Sequence, residues 1–124
     1  MTPRLLIVED TQHVRDMLAK MLELDGFEIA GTAADGASAV EMAKDANADV
    51  IVMDYAMPGM DGLEASKKIL EAQPSQKIIL YTAYPTNELE QQAHDAGIVL
   101  CLGKVEGLET LERHISQMCR KLAP

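Results

Sequence analysis

Five short apolar runs punctuate the sequence: Leu5-Leu6-Ile7-Val8, Phe27-Glu28-Ile29-Ala30, Val50-Ile51-Val52-Met53, Ile78-Ile79-Leu80-Tyr81 and Ile98-Val99-Leu100-Cys101-Leu102. Four are continuous and β-branched, the pattern of strands covered on both faces. The Phe27 run alternates with polar positions, which places it nearer an edge. Between the runs the period changes to 3.6. Val14, Met17, Leu18, Met21 and Leu22 share one helical face. Ala39, Val40 and Ala43 mark a second helix, and Leu63, Ala65, Ile69 and Leu70 a third. Leu89, Ala93 and Ala96 mark a short fourth, introduced by Pro85-Thr86 with Thr86 as its N-cap. Leu108, Leu111, Ile115, Met118 and Leu122 form the stripe of a fifth.

The order is a strand-helix unit repeated five times. Strands separated by single helices run parallel, with right-handed crossovers. The expected fold is therefore α/β: a five-stranded parallel sheet in the order 2-1-3-4-5, helices on both faces, the flavodoxin-like arrangement. A closed eight-stranded barrel needs about twice this length. With 124 residues and no repeat, low-complexity tract or linker, the chain reads as one domain over 1–124.

Charge narrows the function. Eleven Lys and Arg against twenty Asp and Glu give a net charge of −9. Such a surface repels a nucleic-acid backbone and an anionic membrane. The apolar runs fall far short of the ~20 residues that cross a bilayer, and Glu9 and Asp10 interrupt any signal-peptide core. Cys101 and Cys119 lack CxxC spacing and read as reduced thiols of a cytoplasmic protein.

Open α/β sheets bind ligands beyond the carboxyl ends of their strands, where strand order reverses. Strand 1 ends in Glu9-Asp10, strand 3 in Asp54, strand 4 in Thr82 and strand 5 in Gly103-Lys104. Three carboxylates, a hydroxyl and an ammonium thus face one crevice. Taken singly, each has an ordinary explanation as a cap or a solvated loop residue; what counts is that all fall on one edge of one sheet. Carboxylates ~5 Å apart repel by roughly 3 kcal/mol per pair at an effective dielectric of 20, so the cluster calls for raised pKa values or a divalent cation. All-oxygen ligands favour Mg²⁺ over Zn²⁺. An Asp beside Mg²⁺ is a nucleophile towards phosphorus, and Lys104 and Thr82 are suited to phosphoryl oxygens.

These residues resemble the receiver domain of two-component response regulators, the CheY-like family, from about Arg4 to Leu122. The motifs are Leu-Ile-Val-Glu-Asp (6–10), Val-Met-Asp-Tyr-Ala-Met-Pro-Gly-Met-Asp-Gly (52–62), Tyr-Thr-Ala (81–83) and Ala-Gly (96–97) followed by Lys104. The resemblance implies that Asp54 accepts a phosphoryl group from a phosphohistidine on a sensor histidine kinase or histidine phosphotransfer protein. Asp10 and Asp54 would hold Mg²⁺ (Mn²⁺ substituting) with the backbone carbonyl of Ala56, and Glu9 would assist through water. Thr82, the backbone N–H of Ala83 and Lys104 would hold the phosphoryl group. Reorientation of Thr82 would then switch the face built from helix 4, strand 5 and helix 5. That face would meet a downstream protein or a fused effector domain, or pair two copies as a homodimer.

Two positions depart from the family pattern. Cys101 stands where an aromatic switch residue is usual, three before Lys104, and Val105 stands where Pro often follows, so a trans bond is expected there and a looser loop at 105–107. Tyr84, two after Thr82, would tune phosphoryl lifetime by shielding Asp54. In the turn 57–62, Pro58 fixes φ while Gly59 and Gly62 allow φ > 0. His13, His94 and His114 lack ligand spacing and read as surface residues on helices. The methionines read as core filler, apart from Met57 and Met60 in a loop suited to docking. Rival functions fare less well. A phosphatase with a nucleophilic Asp needs a second Asp two residues on, where this chain has Ala56. A flavin carrier needs a phosphate-cradling loop after strand 1, where Glu9-Asp10 would repel the phosphate. A receiver-shaped docking module with weakened phosphorylation coupling stays open through Cys101. No turnover enzyme acting on an external metabolite is expected.

Overall fold

The computed structural model describes residues 2–120. Strands β1 (Arg4–Val8), β2 (Glu28–Ala33), β3 (Val50–Asp54), β4 (Lys77–Thr82) and β5 (Leu100–Gly103) alternate with helices α1 (Gln12–Leu24), α2 (Gly36–Ala46), α3 (Gly62–Ala72), α4 (Asn87–Ala96) and α5 (Leu108–Arg120). The strands form one parallel sheet in the order β2-β1-β3-β4-β5. The α/β expectation holds in full.

The continuous apolar runs follow from period-2 alternation in a sheet covered on both sides. Leu6, Val8, Ile51, Met53, Ile78 and Leu80 point towards α2, α3 and α4, where they meet Ala39, Ala43, Leu63, Ile69, Leu89 and Ala93. Their neighbours Leu5, Ile7, Val50, Val52, Ile79 and Tyr81 point the other way, onto Leu18 and Leu22 of α1 and Leu111, Ile115 and Cys119 of α5. Cys101 packs on the first face and Cys119 on the second, so the sheet separates the two free thiols. Edge strand β2 keeps Glu28 and Thr32 exposed. Caps stand where short polar side chains precede a helix: Asp35, Asp61 and Thr86 accept from the backbone N–H of Ser38, Glu64 and Leu89.

Several expectations need correction. Phe27 lies before β2 rather than in it, buried beside α1 and α5. Met17 and Met21 are 55% and 43% exposed, because only Leu18 and Leu22 of the α1 stripe reach the sheet. Met57 is buried against α3 and its neighbours, so it offers no docking surface, and Met60 is half-buried on the same cluster. Gly59 has φ 77°, as expected. Gly62 does not need positive φ; it needs to lack a side chain, since a Cβ there would meet the Asp54 carbonyl oxygen at 2.1 Å. The 105–107 segment is no loose loop: Lys104–Glu106 form a 3₁₀ turn closed by the Gly107 N–H on the Lys104 carbonyl, and among the described residues every peptide is trans. Leu122, assigned to the last helical stripe, lies outside the described residues.

Candidate functional site

Parallel strands deliver every chain exit to the same edge, and the site is made of those exits. Glu9 follows β1 and is 4% exposed. Its backbone is fixed on both sides: its N–H donates to the Ala33 carbonyl at 3.1 Å, and its carbonyl accepts from Arg15 Nη1 at 2.8 Å. Asp54 closes β3 and is 5% exposed. The chain leaves it through Tyr55, whose N–H donates to the Tyr81 carbonyl at 3.3 Å, and turns back so that the Gly62 N–H donates to the Tyr55 carbonyl at 2.8 Å. Thr82 closes β4 and is buried, with its Oγ1 accepting from the Tyr84 N–H at 3.3 Å. Lys104 follows β5, in register beyond the Thr82–Gly103 pair.

The side chains converge. Lys104 Nζ stands 3.0 Å from Asp54 Oδ1 and 3.2 Å from Glu9 Oε2. Carboxylate oxygens of Glu9, Asp10 and Asp54 all lie within 4.8 Å of one another. The Asp54 carboxyl is raised from 3.8 to about 7: burial pushes it up most, the Lys104 hydrogen bond and charge pull against that, and Glu9 adds to the rise. For Lys104 the order reverses. Burial alone would lower its pKa, but the hydrogen bond and charge of Asp54, with those of Glu9, more than offset this and raise it. One ammonium thus stands against three carboxylates in a half-buried crevice. That imbalance, with an all-oxygen donor set, fits a hard divalent cation such as Mg²⁺.

Glu9, Asp10, Asp54 and Lys104 are therefore gathered as the sequence implied. Thr82 closes the strand next to β3. Ala56 and Ala83 lie in the exposed loops that leave β3 and β4. Tyr84 is 83% exposed, its ring in solvent. Cys101 is half-buried on the α4 side of β5, with burial first and Glu90 second raising its thiol pKa. His13 and His94 are exposed and His114 half-buried. Two supporting residues escaped the sequence reading. Arg15 anchors the Glu9 backbone. The Tyr81 ring lies 5.9 Å below Lys104 Nζ, within cation–π range. The Tyr81 signal was present, since period 2 puts it opposite Thr82; no pattern marks Arg15.

Comparison with known proteins agrees with this geometry. The family model described as "Response regulator receiver domain" matches residues 5–116. The transcriptional regulatory protein PdtaR of Mycobacterium tuberculosis is 40% identical over 101 residues, 82% of this chain and 49% of that protein. The chemotaxis protein CheY of Thermotoga maritima is 38% identical over 97 residues, 78% of this chain and 81% of that one. The crystal structure of the response regulator TrrA from Thermotoga maritima, in complex with Mg²⁺ and BeF, superposes with a TM-score of 0.84 at 29% identity, covering 95% of this chain and 99% of that one. Against PdtaR the chain spans about half of the relative's length. Among the described residues no helix is long and apolar enough to cross a membrane. A crevice of three carboxylates and a lysine at the carboxyl edge of a β2-β1-β3-β4-β5 sheet, matched by that family model over most of its length, makes this chain a member of the response-regulator receiver domain family.

Proposed function

We propose that the chain is a phosphorylation switch that accepts a phosphoryl group on Asp54. The donor is a phosphohistidine on a sensor histidine kinase or a histidine phosphotransfer protein. The observation that carries this reading is the contact of Lys104 Nζ with both Asp54 and Glu9, beside Asp10. Asp54 uses a carboxylate oxygen to form the O–P bond as the P–N bond to the donor imidazole breaks, and the imidazole nitrogen leaves with the electron pair. Lys104 neutralises a phosphoryl oxygen, while the Thr82 hydroxyl and the Ala83 N–H donate to the others. Glu9, Asp10, Asp54 and the Ala56 carbonyl would hold Mg²⁺, or Mn²⁺ in its place. The ion supplies charge neutralisation at carboxylate and phosphoryl oxygens. Tyr84, exposed here, sets phosphoryl lifetime by folding its ring over Asp54, and Thr82, whose Oγ1 accepts from the Tyr84 N–H, links the site to β4 and α4. The chain acts on itself and turns over no external metabolite. It works in the cytoplasm as a single domain whose switched face meets a downstream protein, a fused effector or a second copy.

Intact mass after incubation with acetyl phosphate tests the reading. One phosphoryl mass increment is expected with Mg²⁺, none with chelator and none in Asp54→Asn. An increment that persists in Asp54→Asn removes Asp54 from its role. No increment under any metal condition leaves the docking module, which the loss of an aromatic at Cys101 favours. Tyr84→Ala is expected to shorten the phosphoryl half-life, and an unchanged half-life ends the lifetime role.

A further inference from the structure

The cleft between α4 and the edge strand β5 carries a second set of ligating side chains. Its volume is about 260 Å³, and Glu90, His94 and Cys101 all line it. Glu90 and His94 stand four residues apart on α4, one turn above the other on one face. Cys101 projects from β5 to the α4 side of the sheet, where it packs against the cluster that includes Leu89 and Ala93. A thiol, an imidazole and a carboxylate thus border one solvent-open cleft, far in character from the all-oxygen crevice at Asp54. We propose that this cleft binds a borderline-soft divalent cation, Zn²⁺, through Cys101, His94 and Glu90, with water as the fourth ligand.

The donor set decides the metal. Thiolate and imidazole select Zn²⁺ over Mg²⁺, and three protein ligands plus water complete a tetrahedron. Binding forms the metal–sulfur bond and releases the thiol proton to solvent, with no change of oxidation state. Among the described residues only the donor atoms of Glu9, Asp10 and Asp54 already lie within 4.8 Å of one another. The α4–β5 site closes instead by rotation of Glu90 and His94, both exposed. A bound ion would tie α4 to β5.

Cobalt titration of the intact chain in excess Mg²⁺, which occupies the oxygen site, reads this out. Co²⁺ replaces Zn²⁺ and gives a near-ultraviolet thiolate-to-cobalt charge-transfer band that oxygen ligands cannot give. The band is expected in the parent, displaced by Zn²⁺, and absent in Cys101→Ser and Cys101→Ala. Loss of an outer-shell partner already weakens a metal site roughly 10–100-fold, so His94→Ala and Glu90→Gln should each weaken cobalt binding by at least that. Asp54→Asn should retain the band, which separates this site from phosphorylation. No band, a band that survives both Cys101 variants, or one lost only with Cys119→Ala overturns the proposal.

Discussion

Asp54 is held against its chemical preference. Burial and the Glu9 charge keep its carboxyl near 7, although Lys104 stands 3.0 Å away. Because this pKa is raised above the 3.8 of the free group, the folded chain binds a proton more tightly than the unfolded one between about pH 4 and pH 7. In that window stability falls as pH rises, and the loss is complete above about pH 7. A shift of this size corresponds to at most about 4 kcal/mol. Metal-free Asp54→Asn should therefore unfold at a higher temperature than the parent at pH 8, with the gain shrinking towards pH 4. Glu112, raised to about 7 by burial and by the nearby Asp25 carboxyl, adds pH dependence of the same sign. Parent and variant share it, so the difference isolates Asp54. Mg²⁺ should stabilise the parent and close the gap at pH 8; a gap that ignores both pH and Mg²⁺ would sink this account. Gly62 sets a steric limit beside it. A Cβ at 2.1 Å from the Asp54 carbonyl oxygen cannot be accommodated without moving β3 or α3. Gly62→Ala is expected to cost roughly 1–3 kcal/mol in a denaturant titration and to slow phosphorylation of Asp54.

Helix α1 separates what apolar spacing says from what burial decides. Met17 and Leu18 are adjacent, so they lie about 100° apart around the helix, and only Leu18 and Leu22 meet the sheet. Leu22→Ala is expected to cost about 2–5 kcal/mol, whereas Met17→Ala should stay within about 0.5 kcal/mol. Equal costs for the two in urea titrations would show that the stripe is buried as one. The sequence could not make this distinction, because a five-residue stripe is wider than the face α1 lays on β1 and β2, and methionine tolerates either environment. The strands β1, β3 and β4 were legible for the opposite reason: both faces are covered, so no residue in their middles can be polar. Phe27 misled because an aromatic beside alternating residues reads as strand, while it serves as a plug where α1 turns into β2. Thr86 was legible as a cap because a short hydroxyl side chain before an apolar period has one common use. Met57 was not, since its burial depends on how the chain folds back from Asp54 to Gly62. The site residues are visible because hydrophobicity alone marks the strand ends, whatever polar residues follow them.

For the whole molecule, the sheet is the scaffold of the site and, in the proposed switch, its path of transmission. Asp54 pairs with Tyr81, and Thr82 pairs with Gly103, so a charge placed on β3 lies beside the ends of the two strands that carry Thr82 and Lys104. Lys104 is anchored by Asp54 and Glu9; in the proposed switch, moving it to a phosphoryl oxygen would withdraw it from Glu9 and pull on the 3₁₀ turn that precedes α5. Thr82 Oγ1 accepts from Tyr84 N–H, so in the proposed switch turning the hydroxyl towards a phosphoryl group would release the loop into α4. If Asp54 is phosphorylated as proposed, two elements on opposite faces, α4 and α5, would both be tied to that event even with a thiol at position 101. Adding Mg²⁺ and beryllofluoride should shift backbone amide resonances beyond the site loops, through α4, along β5 to Cys101 and into the first turns of α5. Shifts confined to residues 9–10, 54–56, 82–84 and 104 would mean that the charge is bound but not transmitted, and that the missing aromatic at Cys101 leaves the chain a docking module rather than a switch.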